Sequence, residues 1–545
     1  MESGVYMRRL MVLFFVGVSC TTTAVKFPAF DESALLRHIK ALSSDYFEGR
    51  APGTEGEDRT VAYIEKEFKT IGLKPGNTDG SFVQKVPMIG LTPDESMLLT
   101  LRQKEKTLRL KYLEDFVAWT RQSVPETDLQ NSEIVFAGYG VQAPEYRWDD
   151  YKGLDVRGKT VVMLVNDPPV PDPSDPAKLD PNVFGGNAMT YYGRWTYKYD
   201  IAGEKGAAGV LLVHETAAAG YPWSVVKGFG GEAFNLVAAD KNMGKPKVEA
   251  WISLEKAREL FAMAGHNFDE LKKQATTREF RPVSLQTAAS VKFRNKMRTV
   301  NSRNVLAKLE GSTRKDEYVI YTAHWDHLGI GQPVDGDRIY HGAVDNASGV
   351  AALIELARVF KKQPKPPART ILFISVTGEE QGLLGSEYYA AHPVYPLEKT
   401  LAVVNMDGLN VYGRTKDITI VGLGKSELDD YAQRIAARQG RILSSDQEPE
   451  KGFYYRSDHF PFAKKGVPCL NPDAGNDYIG KPAGYGKKIR DDYTTNDYHK
   501  PSDIVKSDWD LGGLVEDLQF LWMAGWEIAN AERYPQWKPG AEFSR

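Results

Sequence analysis

YVIYTAHWDHLG at 318–329, YHGAVDNASGVAALIELARVF at 340–360 and RTILFISVTGEEQGLLGS at 369–386 decide how this chain folds. Two apolar, β-branched runs, Tyr318 to Ala323 and Ile371 to Val376, have the length of buried parallel strands, and the segment between them has helical spacing. Polar residues stand where each strand should end. His324, Asp326 and His327 follow the first run, Asp345 opens the helix, and Glu379 and Glu380 follow the second. Open α/β sheets gather ligands outside the carboxyl ends of their strands, so this order predicts one polar crevice. Downstream, Leu401 to Val404 leads into Asn405, Met406 and Asp407, and YHKPSD at 498–503 adds the imidazole of His499. Mixed nitrogen and oxygen donors suit zinc, and a carboxylate shared by two ions gives the clamp used in metal-assisted hydrolysis.

HWDH, GAVDNASG, TGEEQGLLGS, NMDG and YHKPSD, in this order, resemble the signatures of the M28 family of co-catalytic zinc peptidases, most of them aminopeptidases. The resemblance implies two Zn2+ ions as cofactors and peptides as substrates. His324 and Asp407 would hold one ion, Glu380 and His499 the other, and Asp345 would bridge them. Glu379 would be the general base, and Asn346 would follow a cis peptide bond. Spacing alone does not separate base from ligand between Glu379 and Glu380; the resemblance does. On a strand His324 and Asp326 point to one face, so Asp326 is expected to accept the second ring N–H of His324 and orient it, a role that also matches the family. His327 and His341 read as ordinary polar residues near the site. FYYRSDHFPFAKKGVPCL at 453–470 resembles the family segment that supplies an oxyanion-stabilising tyrosine, and points to Tyr454, with Tyr455 adjacent.

A chain of 545 residues suggests two to four domains. Arg8 and Arg9 precede an apolar run, Leu10 to Val18, followed by small residues, so 1–24 reads as a signal or lipoprotein signal peptide. Export to a bacterial periplasm, an outer membrane or the medium follows, with a lipid anchor through Cys20 as one outcome. Residues 25–131 read as the N-terminal part of the peptidase domain and a linker, and 284–545 as its C-terminal part. The 132–283 segment between them reads as an insert, because KYDIAGEKGAAGVLLVHE at 198–215 resembles a protease-associated domain. The expected fold is α/β: a mixed, largely parallel sheet flanked by helices, the zinc exopeptidase fold, with an inserted β-rich α+β domain.

Hydrophobic content of 42% and charged content of 26% are those of a globular chain, and a net charge of −3 gives no reason to expect nucleic acid. With Cys20 lipidated or removed, Cys469 stands alone and no intrachain disulfide forms. Neither an HExxH helix nor a GxSxG elbow is present. The aromatic tract MTYYGRWTYKY at 189–199 reads as core or domain interface rather than substrate rim. DYFEGR at 45–50 receives no chemical role. An aminopeptidase is the expected function. A carboxypeptidase, with a basic group such as Arg456 for the substrate carboxylate, and a non-catalytic receptor-like member are the alternatives; the oligomeric state is not legible.

Overall fold

The computed structural model describes residues 26–228 and 230–545. The leader expected at 1–24, with Cys20, lies outside the described residues. One sheet runs in the order Cys469–Leu470, Thr400–Asn405, Arg314–His324, Arg369–Val376, Val283–Leu309, Val83–Pro93 and Ala233–Leu236. The first four strands are parallel to one another, and the rest join antiparallel. All eight residues of Arg369–Val376 are buried, as a strand covered on both faces requires. Register pairs His324 with Val376 and Thr322 with Asn405, so three strands end level at one edge.

Helices cover this sheet. Helix Gly349–Lys361 is buried almost all round, between the sheet and helices Glu32–Leu42 and Glu55–Ile71. Thr54 caps the last of these by accepting from Glu57 N–H, while Glu57 turns back to Gly53 N–H at 2.6 Å, and the helix stops at Gly72 with φ +81°. Gly512–Asn530 closes the layer near the C-terminus.

A second sheet carries its own core. Its strands Glu126–Phe136, Thr160–Leu164, Gly209–His214 and Val248–Ser253 are parallel, with Phe116–Trp119 antiparallel at the far edge. Val283–Leu309 belongs to both sheets. Its first part pairs with Glu126–Phe136 and its middle with Val83–Pro93, so one strand of 27 residues, roughly 90 Å at about 3.3 Å per residue, threads the two lobes. The boundaries expected at 132 and 283 therefore do not describe the packing. The second core runs from Met97 to Phe293, taking in strands assigned above to the peptidase part and linker, while Ala233–Leu236 leaves the insert to edge the first sheet. Alternation continues through 283–309 without Gly or Pro, so nothing in the sequence marks where the strand changes sheets.

The lobes meet at the aromatic tract. Met189 N–H donates to the Pro449 carbonyl at 2.9 Å, and the Tyr191 ring lies 5.2 Å from Phe460 and 6.1 Å from Tyr455. Tyr197 and Tyr199 are buried in the second core. Near the chain's end, the Glu542 carboxylate accepts from the Tyr455 hydroxyl and Lys425 ammonium, both at 2.6 Å, and from Tyr191 N–H at 3.2 Å, tying both lobes to the C-terminal tail.

Candidate metal centre

Five chain segments deliver polar side chains to the level strand ends. His324 closes its strand, Glu379 and Glu380 follow Arg369–Val376, and Asp407 follows Thr400–Asn405. Asp345 sits in the turn Ala343–Ser348 that leads into helix Gly349–Lys361, and the Asp345–Asn346 peptide is cis. Asp503 fixes that turn, its carboxylate accepting Val344 N–H at 3.0 Å and Asp345 N–H at 3.1 Å. His499 arrives from the loop after helix Tyr485–Asn496.

The Asp345 carboxylate faces two imidazoles, with Oδ1 3.3 Å from His324 Nε2 and Oδ2 3.4 Å from His499 Nε2. His324 Nε2 is also 3.1 Å from Asp407 Oδ1, and His499 Nε2 is 3.0 Å from Glu380 Oε2. The structure thus brings together all six side chains singled out as ligands or base. Glu379 offers an oxygen within 4.8 Å of the donor atoms of His324 and Asp407, yet bonds to neither. The donor set suits zinc, with nitrogen and carboxylate oxygen on each side of a shared carboxylate. His499 Nε2 is buried between the carboxylates of Asp345 and Glu380, as befits an atom aimed at a cation.

Electrostatics separate the carboxylates. Burial would raise the Asp345 carboxyl, but hydrogen bonds with His324 and His499 hold it well below the ordinary range. Glu380, also opposed by burial, is brought to about 2 by His499 and His327. Glu379 goes the other way: burial, and then the charges of Asp407, Glu380 and Asp458, push it well above the ordinary value. Adjacent glutamates in contrasting environments can take different roles.

Two expectations are corrected. Asp326 does not orient His324 through its carboxylate, which lies 3.9 Å from Nδ1; the Asp326 carbonyl accepts that N–H at 3.1 Å. The carboxylate instead accepts the backbone N–H groups of Glu379 at 3.1 Å and Glu380 at 3.3 Å, and so positions both glutamates. The strand ends at His324, so alternation does not reach Asp326. Tyr454 is not at the centre. The turn Phe453–Tyr455 sends its ring into a cluster with His459 at 4.8 Å, Phe543 at 6.4 Å and the Lys425 ammonium at 4.8 Å. Its hydroxyl is buried without a partner there, and that of Tyr455 is spent on Glu542.

Other residues do what the sequence did not announce. His327, read as incidental, places Nδ1 2.6 Å from Glu380 Oε1, on the carboxylate oxygen opposite His499. Ser457 donates to Asp407 Oδ2 at 2.7 Å, and Ser386 to Asp458 at 2.6 Å. Arg50, from the DYFEGR stretch, is fully buried beneath the centre. It donates to the carbonyls of Trp325, Leu42, His341 and Gly342 at 2.7–2.9 Å, pinning the loops that carry His324 and Asp345. Burial lowers its pKa to about 10, against the pull of Asp503, Asp345, Asp326 and Glu380, so it remains charged at neutral pH. Arg50→Met should destabilise the chain by about 3–5 kcal/mol, because four buried carbonyls and several carboxylates lose their shared partner. Urea unfolding of the two proteins at pH 7 measures this, and a loss under about 1 kcal/mol would show that water can replace the guanidinium.

The fold and the centre define a mixed α/β chain with a cluster of candidate metal ligands at the carboxyl ends of parallel strands. Residues 304–523 match the model of Peptidase family M28. A probable zinc metalloprotease of Pyrenophora teres f. teres is 42% identical over 108 residues, 20% of this chain and 23% of that protein. The Mus musculus protein named aminopeptidase NAALADL1 is 37% identical over 131 residues, 23% of this chain and 16% of that protein. The chain thus aligns with less than a quarter of the length of either relative. The solved aminopeptidase from Aneurinibacillus sp. strain AM-1 has the same fold, with a TM-score of 0.52 at 19% identity over 95% of this chain and 96% of that one.

Proposed function

We propose that this chain is an exported dinuclear zinc exopeptidase that removes N-terminal residues from peptides. The observation that carries the reading is the Asp345 carboxylate, which offers one oxygen beside each of two imidazoles, each with its own further carboxylate. His324 and Asp407 would hold one ion, Glu380 and His499 the other, with Asp345 between them. The chemistry zinc supplies when bound is polarisation of the scissile carbonyl and acidification of water. Glu379 accepts the proton of the attacking water and delivers it to the leaving amine. Asp326 holds the backbone of both glutamates, His327 fixes Glu380, and Ser457 fixes Asp407.

The aminopeptidase reading takes support from the names of the relatives, and export from Arg8, Arg9 and the apolar run Leu10 to Val18. The complete donor set weighs against a receptor-like member without metals. Dialysis against a chelator should bring hydrolysis of an aminoacyl amide to background, and zinc should restore it. Activity that survives removal of the metal would sink the reading. Free amino acids released from C-amidated but not from N-blocked peptides separate amino- from carboxypeptidase action, and fractionation of the producing cells tests export.

A further inference from the structure

One carboxylate stands where three pieces of the molecule meet. Glu542 accepts from the Tyr455 hydroxyl through both oxygens at 2.6 Å, from the Lys425 ammonium at 2.6 Å and from Tyr191 N–H at 3.2 Å. Tyr191 comes from the second lobe, on the turn Tyr191–Gly193. The base of that turn is held by Asp167, which accepts Thr190 N–H at 2.7 Å and its hydroxyl at 2.8 Å. The segment that carries Glu542 is itself fastened to the first lobe. Trp537 donates its ring N–H to the Gly466 carbonyl at 2.9 Å, Lys538 N–H donates to the Lys425 carbonyl at 2.9 Å, and the Phe543 ring lies 6.0 Å from Phe460.

From Tyr455 a line of contacts runs on to the metal centre. Tyr455 N–H donates to the Gly452 carbonyl at 3.0 Å, Arg456 N–H to Phe453 at 3.1 Å and Phe460 N–H to Ser457 at 3.0 Å, so 452–460 is a run of closed turns with little slack. Two residues past Tyr455, the Ser457 hydroxyl donates to Asp407 Oδ2 at 2.7 Å and accepts from the Asn405 side-chain amide at 2.7 Å. Asp407 Oδ1 lies 3.1 Å from His324 Nε2. Burial, and then the charge of Glu542, hold the Tyr455 phenol well above its ordinary value, so it stays a donor. Without the carboxylate, a buried hydroxyl and a largely buried ammonium would lose their acceptor, and they regain hydrogen bonds only if the segment shifts toward water.

We propose that Glu542 is a positioning residue that couples docking of the second lobe to the metal position assigned to His324 and Asp407. It acts through Tyr455 and Ser457 and touches neither substrate nor ion. The inference rests on the peptidase reading above and adds to it a control over one of its two metal positions.

Zinc titration of the chelated full chain, in competition with a chromophoric chelator, resolves the two equivalents. Glu542→Ala should weaken one of them by about 10–100-fold, the usual effect of removing a group that orients a ligand, and leave the other near its unsubstituted value. Ser457→Ala should weaken the same equivalent. In the Ser457→Ala background, Glu542→Ala should add less than about twofold, because the link is already cut. Glu542→Gln, which can still accept from Tyr455, should recover part of the affinity. Tyr455→Phe removes only the hydroxyl and carries the same prediction if Glu542→Ala does not fold. Equal weakening of both equivalents, additive losses in the double variant, or unaltered affinity at both overturns the coupling. If the unsubstituted chain does not take two equivalents, the dinuclear reading is what fails. Backbone amide exchange of the chelated protein then decides the coupling. Glu542→Ala should speed exchange at 189–193, 405–408 and 453–460, whereas a change confined to 536–545 is the overturning result.

Discussion

Glu379→Gln should lower kcat by about 10²–10⁴-fold while zinc content and KM stay near those of the unsubstituted chain. The side chain is buried, lies within 4.8 Å of the donor atoms of His324 and Asp407, and makes no bond to either, whereas Glu380 is engaged by His327 and His499. Glutamine keeps the shape and the backbone contacts to Asp326 but has no oxygen basic enough to take a proton. Turnover of an aminoacyl amide and metal analysis of the same preparation check the result. Undiminished turnover removes the base assignment. Loss of zinc would instead make Glu379 a ligand, a role its place beside His324 and Asp407 leaves open.

Asp345→Ala should empty both metal positions and lower kcat/KM by more than about 100-fold, a larger effect than substituting a residue that touches only one ligand. Its carboxylate is the one group shared by the two imidazoles. Without it the two ions would lose both a donor each and the negative charge that offsets their repulsion. His499→Ala removes a donor from one side only, so it should retain more zinc than Asp345→Ala. Zinc stoichiometry by atomic emission orders the variants, and equal zinc in the Asp345 variant and the unsubstituted chain overturns the bridge.

The raised values of His324 and His499 also fix the sign of a pH effect in the metal-free chain. Both histidines, opposed by burial but supported by nearby carboxylates, have folded-state pKa values well above 6.5. Asp326 and Asp458, raised to about 7 chiefly by burial, likewise hold protons that the unfolded chain releases near 4. In each case the folded form binds more protons between pH 5 and 8, so these groups make stability fall as pH rises through that window. Denaturant midpoints of the chelated protein at pH 5 and 8 test the sign.

The strands and their polar ends were legible because a strand buried on both faces leaves an uninterrupted apolar run, and the crevice rule places whatever follows. The helices at 32–42 and 55–71 were legible through spacing and caps, Asp31 and Thr54 at their starts and Gly72 at the end of the second. The failures share one cause. Asp326 and His327 lie just past the strand, where alternation no longer says which way a side chain points. Tyr454 was chosen by counting along a loop, and a single turn sufficed to point it into the aromatic cluster.

The amino-acid order by itself determined the α/β class, the candidate metal-ligating residue types and the strand ends they occupy, since these follow from local hydrophobic pattern and a general rule of sheet topology. The tertiary structure alone decided that Val283–Leu309 joins two sheets, that Arg50 shores the centre from below, that His327 braces Glu380, and that Met189 meets the Pro449 carbonyl across the lobes. Those are contacts between segments separated by tens to hundreds of residues. They depend on how packed lobes are oriented, and no periodicity along one segment records that orientation.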